Sequence, residues 1–234
     1  TGKNEVNLIN QLGLKVSTII IDAGHGGKDP GTLHSKTFEK DIVFKIAAKL
    51  AKKLSDDPEF QVILTRNRDE FLALEERTEL ANSSNGDLFI SLHVNSAPST
   101  TASGIETYYL SLTQDIWAQQ LAARENATTL LKIADLNNLL SSILINSKMD
   151  ESVRFAGITH QHLIKESRAQ DRGIKKAPFI VLIGANMPSI LVEIGFISNK
   201  EERRKLLTDQ YQNKIVNGLF KGIKEYSAIL KDEH

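Results

Sequence analysis

The sequence predicts an α/β fold built on a largely parallel sheet with helices on both faces. Short β-branched apolar runs recur along the chain, and stripes of helical spacing fall between them. That alternation of strand and helix is the pattern of a parallel sheet covered on both sides. The first run, 15–22 (KVSTIIID), ends in the glycine-rich turn AGHGGKDPG, as a buried strand does. Residues 37–54 follow as a helix, because Ile42, Phe44, Ile46, Ala47, Leu50 and Leu54 include an i, i+4 apolar stripe. A second strand spans 61–66 (QVILTR), and 72–84 reads as a polar-rich helix. Residues 87–95 (DLFISLHVN) form a third strand, apolar enough to be buried on both faces, and 104–111 (GIETYYLS) a fourth. From 113 to 172 the patterns are helical with no good strand, which reads as a helical insertion in the sheet domain. Strands resume at 178–183 (PFIVLI) and 189–194 (SILVEI), and a closing helix from about Asp209 carries the stripe Ile215, Leu219, Ile223, Tyr226 and Leu230. The expected organisation is a main α/β domain over 15–234, a helical insertion over 113–172 within it, and a polar lead-in over 1–14.

Composition narrows the function classes. With 234 residues, 41% apolar and 25% charged, the chain is long enough to bury a full core and too apolar to be disordered. Lys plus Arg equals Asp plus Glu at 29 each, so no basic footprint for nucleic acid exists at the level of the whole chain. No apolar run approaches the roughly 20 residues of a membrane span. The absence of cysteine excludes disulfides, thiolate zinc sites and a cysteine nucleophile. Any metal must therefore be held by His, Asp or Glu. Thr1 stands where an initiator Met would, and no signal peptide is visible; the expectation is a trimmed mature chain whose targeting segment has been removed.

The polar residues that interrupt the apolar runs carry the chemistry. His25 follows the first strand, His93 lies near the end of the third, and Glu193 sits inside the apolar ILVEIGF. In open α/β sheets, ligands bind beyond the carboxyl ends of the strands. Glu39 lies in the first helical turn, three and four residues before Ile42 and Val43, so it shares their inward face. A carboxylate there needs a partner, and a metal is a good one. Two imidazoles and a carboxylate match a catalytic zinc site, which keeps its fourth position for water. Glu193 would be the general base, and Gly24, Gly26 and Gly27 leave room around His25. A lone buried histidine is usually a satisfied core residue, so the reading rests on convergence at one sheet edge. His34, His160 and His162 do not converge, and on a helix the rings of His160 and His162 point apart.

The ordered segments IIIDAGHGGKDPGT, FEKD, LFISLHVNS and PSILVEIGFISN resemble the zinc-dependent N-acetylmuramoyl-L-alanine amidases that separate daughter cells. The resemblance runs from about Ser17 to the C-terminal helix. It implies a mixed, about six-stranded sheet, and cleavage of the amide between N-acetylmuramic acid and L-alanine in peptidoglycan. It also implies zinc on His25, Glu39 and His93, with Glu193 as the catalytic glutamate. The segment ARENATTLLKIADLNNLLSSILIN is similar to the regulatory segment of periplasmic division amidases. In those enzymes a helix crosses the active site and a glutamate from it ligates the zinc, a place Glu125 matches. Ile133, Leu136, Leu140 and Ile143 form an apolar stripe, broadened by Leu131, Leu139 and Leu144. It reads either as a helix packed on its own domain or as a docking helix for a LytM-type activator. A periplasmic monomer is expected. Two alternatives stay open here. One is a zinc carboxypeptidase, with Arg66, Arg68 or Arg172 for the terminal carboxylate. The other is a non-catalytic peptidoglycan-binding module with a structural zinc, against which the presence of Glu193 with all three ligands speaks.

Overall fold

The computed structural model describes residues 16–128 and 148–232. The first apolar run forms β1 (Thr18–Ala23), followed by a small hairpin of β2 (Leu33–His34) and β3 (Thr37–Phe38), then α1 (Glu39–Ser55) and β4 (Gln61–Leu64). Next come α2 (Leu74–Ser83), β5 (Leu88–Asn95), β6 (Ile105–Leu110) and α3 (Ile116–Glu125). Beyond the segment 129–147 lie α4 (Lys148–Ser167), β7 (Asp171–Ala177), β8 (Ser189–Phe196), α5 (Lys200–Leu206) and α6 (Asp209–Asp232). Six strands form one sheet in the order β4-β1-β5-β8-β6-β7. All its pairings are parallel except β6 with β8. The expected mixed, largely parallel α/β sheet is therefore the fold.

Strands β1, β5 and β8 occupy the middle of the sheet and are buried along their whole length, which is why they read as near-continuous apolar runs. Alternation sends Ile19, Ile21, Ile90, Leu92, Val192 and Ile194 into a core shared with α1, α4 and α6. Ile20, Phe89, Tyr108 and Leu191 face the other way, toward α2 and α3. That second face also carries a file of buried polar residues: Asp22 pairs with Ser91 across β1 and β5, His93 with Glu193, and Glu193 with Glu106. Directly paired residues share a face, so the sheet itself gathers these groups.

Two sequence expectations need correction. The strand expected at 178–183 is instead a short 3-10 turn, Ile180–Leu182, buried in the core of the α2 and α3 face. The strand that completes the six is β7, just upstream, which begins at the very end of the 113–172 stretch expected to be helical and runs on to Ala177. β7 is an edge strand paired only with β6, so its sequence DRGIKKA can stay polar. A short apolar run such as PFIVLI fits a buried turn as well as a strand. Helix α4 lies in the span expected to be an insertion, and its Phe155, Ala156 and Leu163 belong to the main core beside α6. The stripe Ile133, Leu136, Leu140 and Ile143 and the lead-in 1–14 lie outside the described residues.

Helices α4 and α6 approach closely because α6 offers glycines. A Cβ at Gly222 would lie 2.6 Å from Thr159 Cα, and one at Gly218 would lie 2.8 Å from Leu163 Cα. Both neighbours are backbone atoms that cannot move alone. Gly222→Val is therefore expected to destabilise the fold by about 2–3 kcal/mol through overpacking, a drop of roughly 4–12 °C in Tm, read by thermal melting. No helix among the described residues is long and apolar enough to cross a membrane.

Candidate metal centre

Four side chains from four separate segments meet at the carboxyl edge of the sheet. His25 stands two residues past β1 with a left-handed backbone, φ 59°. Glu39 is the first residue of α1, His93 lies near the end of β5, and Glu125 closes α3. His25 Nε2 lies 3.2 Å from Glu39 Oε1 and 3.1 Å from Glu125 Oε2. His93 Nδ1 lies 3.1 Å and 3.2 Å from the same two oxygens. Ligands at about 2.0 Å from a tetrahedral ion stand roughly 3.3 Å apart, so these spacings suit one ion at the centre.

The surroundings test that fit. His25 Nε2 and Glu125 Oε2 are buried, and neither has a partner with hydrogen-bonding geometry among the described residues. Orphaned polar atoms of this kind need an explanation, and an ion supplies one. The space is kept by glycine: a Cβ on Gly31 would lie 2.6 Å from the His25 ring and 2.7 Å from Glu39 Oε2. The donor set, two imidazoles and two carboxylates, is one that zinc accepts. The cluster could thus hold a metal ion.

Three of the four donors are also held from behind. His25 Nδ1 bonds Asp29 Oδ2 at 2.8 Å, the arrangement that fixes a ligating histidine's tautomer. Glu39 Oε2 accepts from Thr32 N at 2.8 Å and Thr32 Oγ1 at 2.9 Å, and Glu39 Oε1 accepts from Val94 N at 2.8 Å. Arg124 donates to Glu125 Oε1 at 2.9 Å, to Ser96 O at 2.9 Å and to Asn95 Oδ1 at 3.2 Å. Asn126 bonds Pro178 O and accepts from Ile180 N, both at 2.9 Å. Glu125 is therefore flanked by two anchors that fasten the end of α3 to the domain.

The electrostatics follow from burial and proximity. Burial opposes the charged form of His93, but its contacts with Glu125 and Glu39 push its pKa up to about 9. Burial opposes His25 as well; the charge of Glu39 and the bond to Asp29 hold it well above the usual range. Glu39 lies well below the carboxylate range: burial would raise it, and the two imidazoles outweigh that. Glu193 behaves oppositely. Burial and then the charge of Glu125 push it well above the ordinary value. Neither of its oxygens has a hydrogen-bond partner among the described residues. Its register neighbour Glu106 is held below the usual range despite burial, by Lys175 Nζ at 2.7 Å and Arg172 Nε at 2.8 Å. Two neighbouring carboxylates thus have environments that drive their pKa values apart, as acid–base sites often do.

The structure brings together His25, Glu39, His93 and Glu125, with Glu193 paired to His93 in register. It leaves the other histidines apart. His34 bonds Ser35 in the hairpin, His160 bridges Thr107 and Asp171, and His162 pairs with Glu225. Asp29, Thr32, Arg124 and Asn95 were missed by the sequence reading. Asp29 alone left a signal, a carboxylate four residues after His25 in the same glycine-rich turn.

Comparison with known proteins adds to this geometry. The profile of the family described as N-acetylmuramoyl-L-alanine amidase matches residues 19–225. N-acetylmuramoyl-L-alanine amidase AmiC of Escherichia coli O6:H1 is 34% identical over 219 residues, covering 90% of this chain and 52% of AmiC. A putative N-acetylmuramoyl-L-alanine amidase of Buchnera aphidicola subsp. Acyrthosiphon pisum is 34% identical over 235 residues, covering 93% and 99%. The chain thus spans about half of the first relative and nearly all of the second. Among solved structures, the N-acetylmuramoyl-L-alanine amidase of Clostridium difficile 630 aligns with a TM-score of 0.72 at 32% identity, covering 91% of this chain and 97% of its own. The catalytic domain of CwlV from Bacillus (Paenibacillus) polymyxa var. colistinus aligns with a TM-score of 0.71 at 30% identity, covering 90% and 98%.

Proposed function

This chain belongs to the N-acetylmuramoyl-L-alanine amidase family, a family of hydrolases, and from that premise we propose that it cleaves the amide between N-acetylmuramic acid and L-alanine in peptidoglycan, with zinc held by His25, Glu39 and His93. The observation that carries the reading is the meeting of the His25, Glu39, His93 and Glu125 donor atoms beside Glu193. When bound, the ion supplies Lewis-acid activation at near-neutral pH. The remaining work falls to the chain. Asp29, on His25 Nδ1, leaves Nε2 free to face the cluster. Glu193 is the general base: it takes a proton from water as the water oxygen adds to the amide carbonyl carbon. It then gives that proton to the nitrogen as the C–N bond breaks, leaving a carboxylic acid on the muramic acid, which passes its proton to the released amine through solvent, so that the products are a carboxylate and the ammonium of L-alanine. Its two oxygens have no competing hydrogen bond among the described residues, which leaves them free to take the proton and return it.

Incubation with purified sacculi tests this. The expected products are glycan ends with free muramic acid and intact stem peptides, identified by mass spectrometry, formed with zinc and not after chelation. Stem peptides shortened at their carboxyl end would instead mark a carboxypeptidase. Two of the three candidate anchors weigh against that alternative, while Arg68 is exposed and pairs with Glu70. Arg66 is 2% exposed and committed to backbone carbonyls, and Arg172 is bonded to Glu106.

Glu125 extends the proposal to control of activity. Its carboxylate takes the corner of the cluster that an attacking water needs, so the arrangement is a closed, autoinhibited form. Opening would come from a LytM-type activator binding the stripe Ile133, Leu136, Leu140 and Ile143, which lies outside the described residues. The setting would be the periplasm during daughter-cell separation. Glu125→Ala is expected to raise basal sacculus hydrolysis by about tenfold or more, the factor that a shift of 1.4 kcal/mol in the closed–open balance gives. Unchanged or lower activity in the folded variant would count against autoinhibition.

A further inference from the structure

Two buried arginines remain unused by the mechanism. Arg66 and Arg77 are each 2% exposed, and arginine is almost never fully buried without partners. Here the partners are mostly main-chain carbonyls, half of the bonds going to the turn that carries His25. Arg66, just past β4, donates from Nε to Ala23 O at 2.9 Å and from Nη2 to Gly24 O at 3.2 Å. The same Nη2 reaches Lys40 O at 3.0 Å, next to Glu39. Arg77, in the first turn of α2, donates from Nη1 to Ala23 O at 2.9 Å and from Nη2 to His25 O at 3.0 Å. Three successive carbonyls are thus gripped by two guanidinium groups from different elements. Asp22 supplies the counter-charge: it accepts from Arg77 Nη1 at 2.7 Å, Thr65 Oγ1 at 2.6 Å and Ser91 Oγ at 2.7 Å.

The grip coincides with strain. His25 has φ 59°, a conformation that a residue with a Cβ keeps only when its surroundings over-determine it. We propose that Arg66 and Arg77 are positioning residues that hold the Ala23-Gly24-His25 turn in the form that aims His25 Nε2 at the metal position. Arg66 does a second thing: it ties that turn to the start of α1, so that His25 and Glu39 keep a fixed separation. The proposal rests on the zinc reading above and concerns how tightly the site is built. Lysine cannot substitute, because one ammonium lacks the forked, planar donors that reach two carbonyls at once.

The test is zinc affinity, measured by competition with a chelator, in Arg66→Lys and Arg77→Lys. Arg68→Lys is the control, since Arg68 pairs with Glu70 at the surface. Each buried-arginine variant is expected to bind zinc about 10- to 100-fold more weakly, the usual cost of losing an outer partner of a metal ligand. The control should match the wild type. In a His25→Ala background, Arg77→Lys should add little further loss, because its effect runs through His25. A variant that folds poorly is measured beside the wild type in trimethylamine N-oxide, which favours the compact state. Wild-type zinc affinity in both folded lysine variants overturns the proposal. If the wild-type protein itself binds no zinc, the metal reading fails first, a result distinguishable from equal binding across the series.

Discussion

Glu193→Gln is expected to lower sacculus hydrolysis by about a thousandfold, within the roughly 10²–10⁴ that a positioned general base contributes, while zinc affinity stays at the wild-type level. The reasoning is chemical and geometric. The side chain lies opposite His93 across β5 and β8, fully buried, and makes no hydrogen bond among the described residues that the amide would have to imitate. The substitution therefore removes the ability to take a proton and little else. It also has a stability signature. Burial and the nearby Glu125 raise the folded pKa of Glu193, so the folded state keeps a proton that the unfolded chain has released. In the metal-free protein, that contribution is present below the ordinary carboxylate value near 4.5. It is lost as pH rises through the raised folded value. Glu193→Gln should flatten this part of the profile of Tm against pH. Normal hydrolysis in the folded variant would remove Glu193 from the mechanism.

His93→Ala is expected to weaken zinc binding by more than about a hundredfold, since loss of an outer partner alone costs 10- to 100-fold. Hydrolysis should fall to background with it. A second effect appears in the metal-free protein. His93, with its pKa near 9, is protonated at neutral pH and sits between the Glu39 and Glu125 carboxylates at 3.1 and 3.2 Å. Removing it leaves buried negative charge short of compensation, a loss of about 3–5 kcal/mol. The two effects separate in one experiment. Zinc at a hundred times its Kd stabilises a protein that binds it only when folded by about 2.7 kcal/mol. The wild type should therefore melt higher with zinc. His93→Ala should melt lower than the wild type and ignore zinc. A zinc-dependent rise in the variant equal to that of the wild type would show that His93 is not a ligand.

Legibility differed from one residue to the next for physical reasons. Glu39 could be placed inward because helical spacing ties it to Ile42 and Val43, and all three are buried. His93 and Glu193 interrupt apolar strands, so each announced itself against its neighbours. Their pairing in register needed only that β5 and β8 be adjacent. Glu125 was different. Nothing in Arg124-Glu125-Asn126 marks a buried carboxylate, and only the resemblance to division amidases pointed to it. β7 was hidden because an edge strand need not be apolar. The segment 178–183 misled because local apolarity does not distinguish a strand from a buried turn. Arg66 and Arg77 were the least legible, since arginine read in a sequence is a surface residue.

The sequence by itself determined the strand–helix alternation, the donors available to a metal in a chain without cysteine, and the edge of the sheet where those donors gather. Periodicity and residue chemistry are local, and they survive being read along a line. Tertiary structure decided that His25, Glu39, His93 and Glu125 come within bonding reach of one another, and that two buried arginines grip the turn carrying His25. Those facts depend on contacts between segments distant in the chain, where distances of a few tenths of an ångström and the loss of water set the energies.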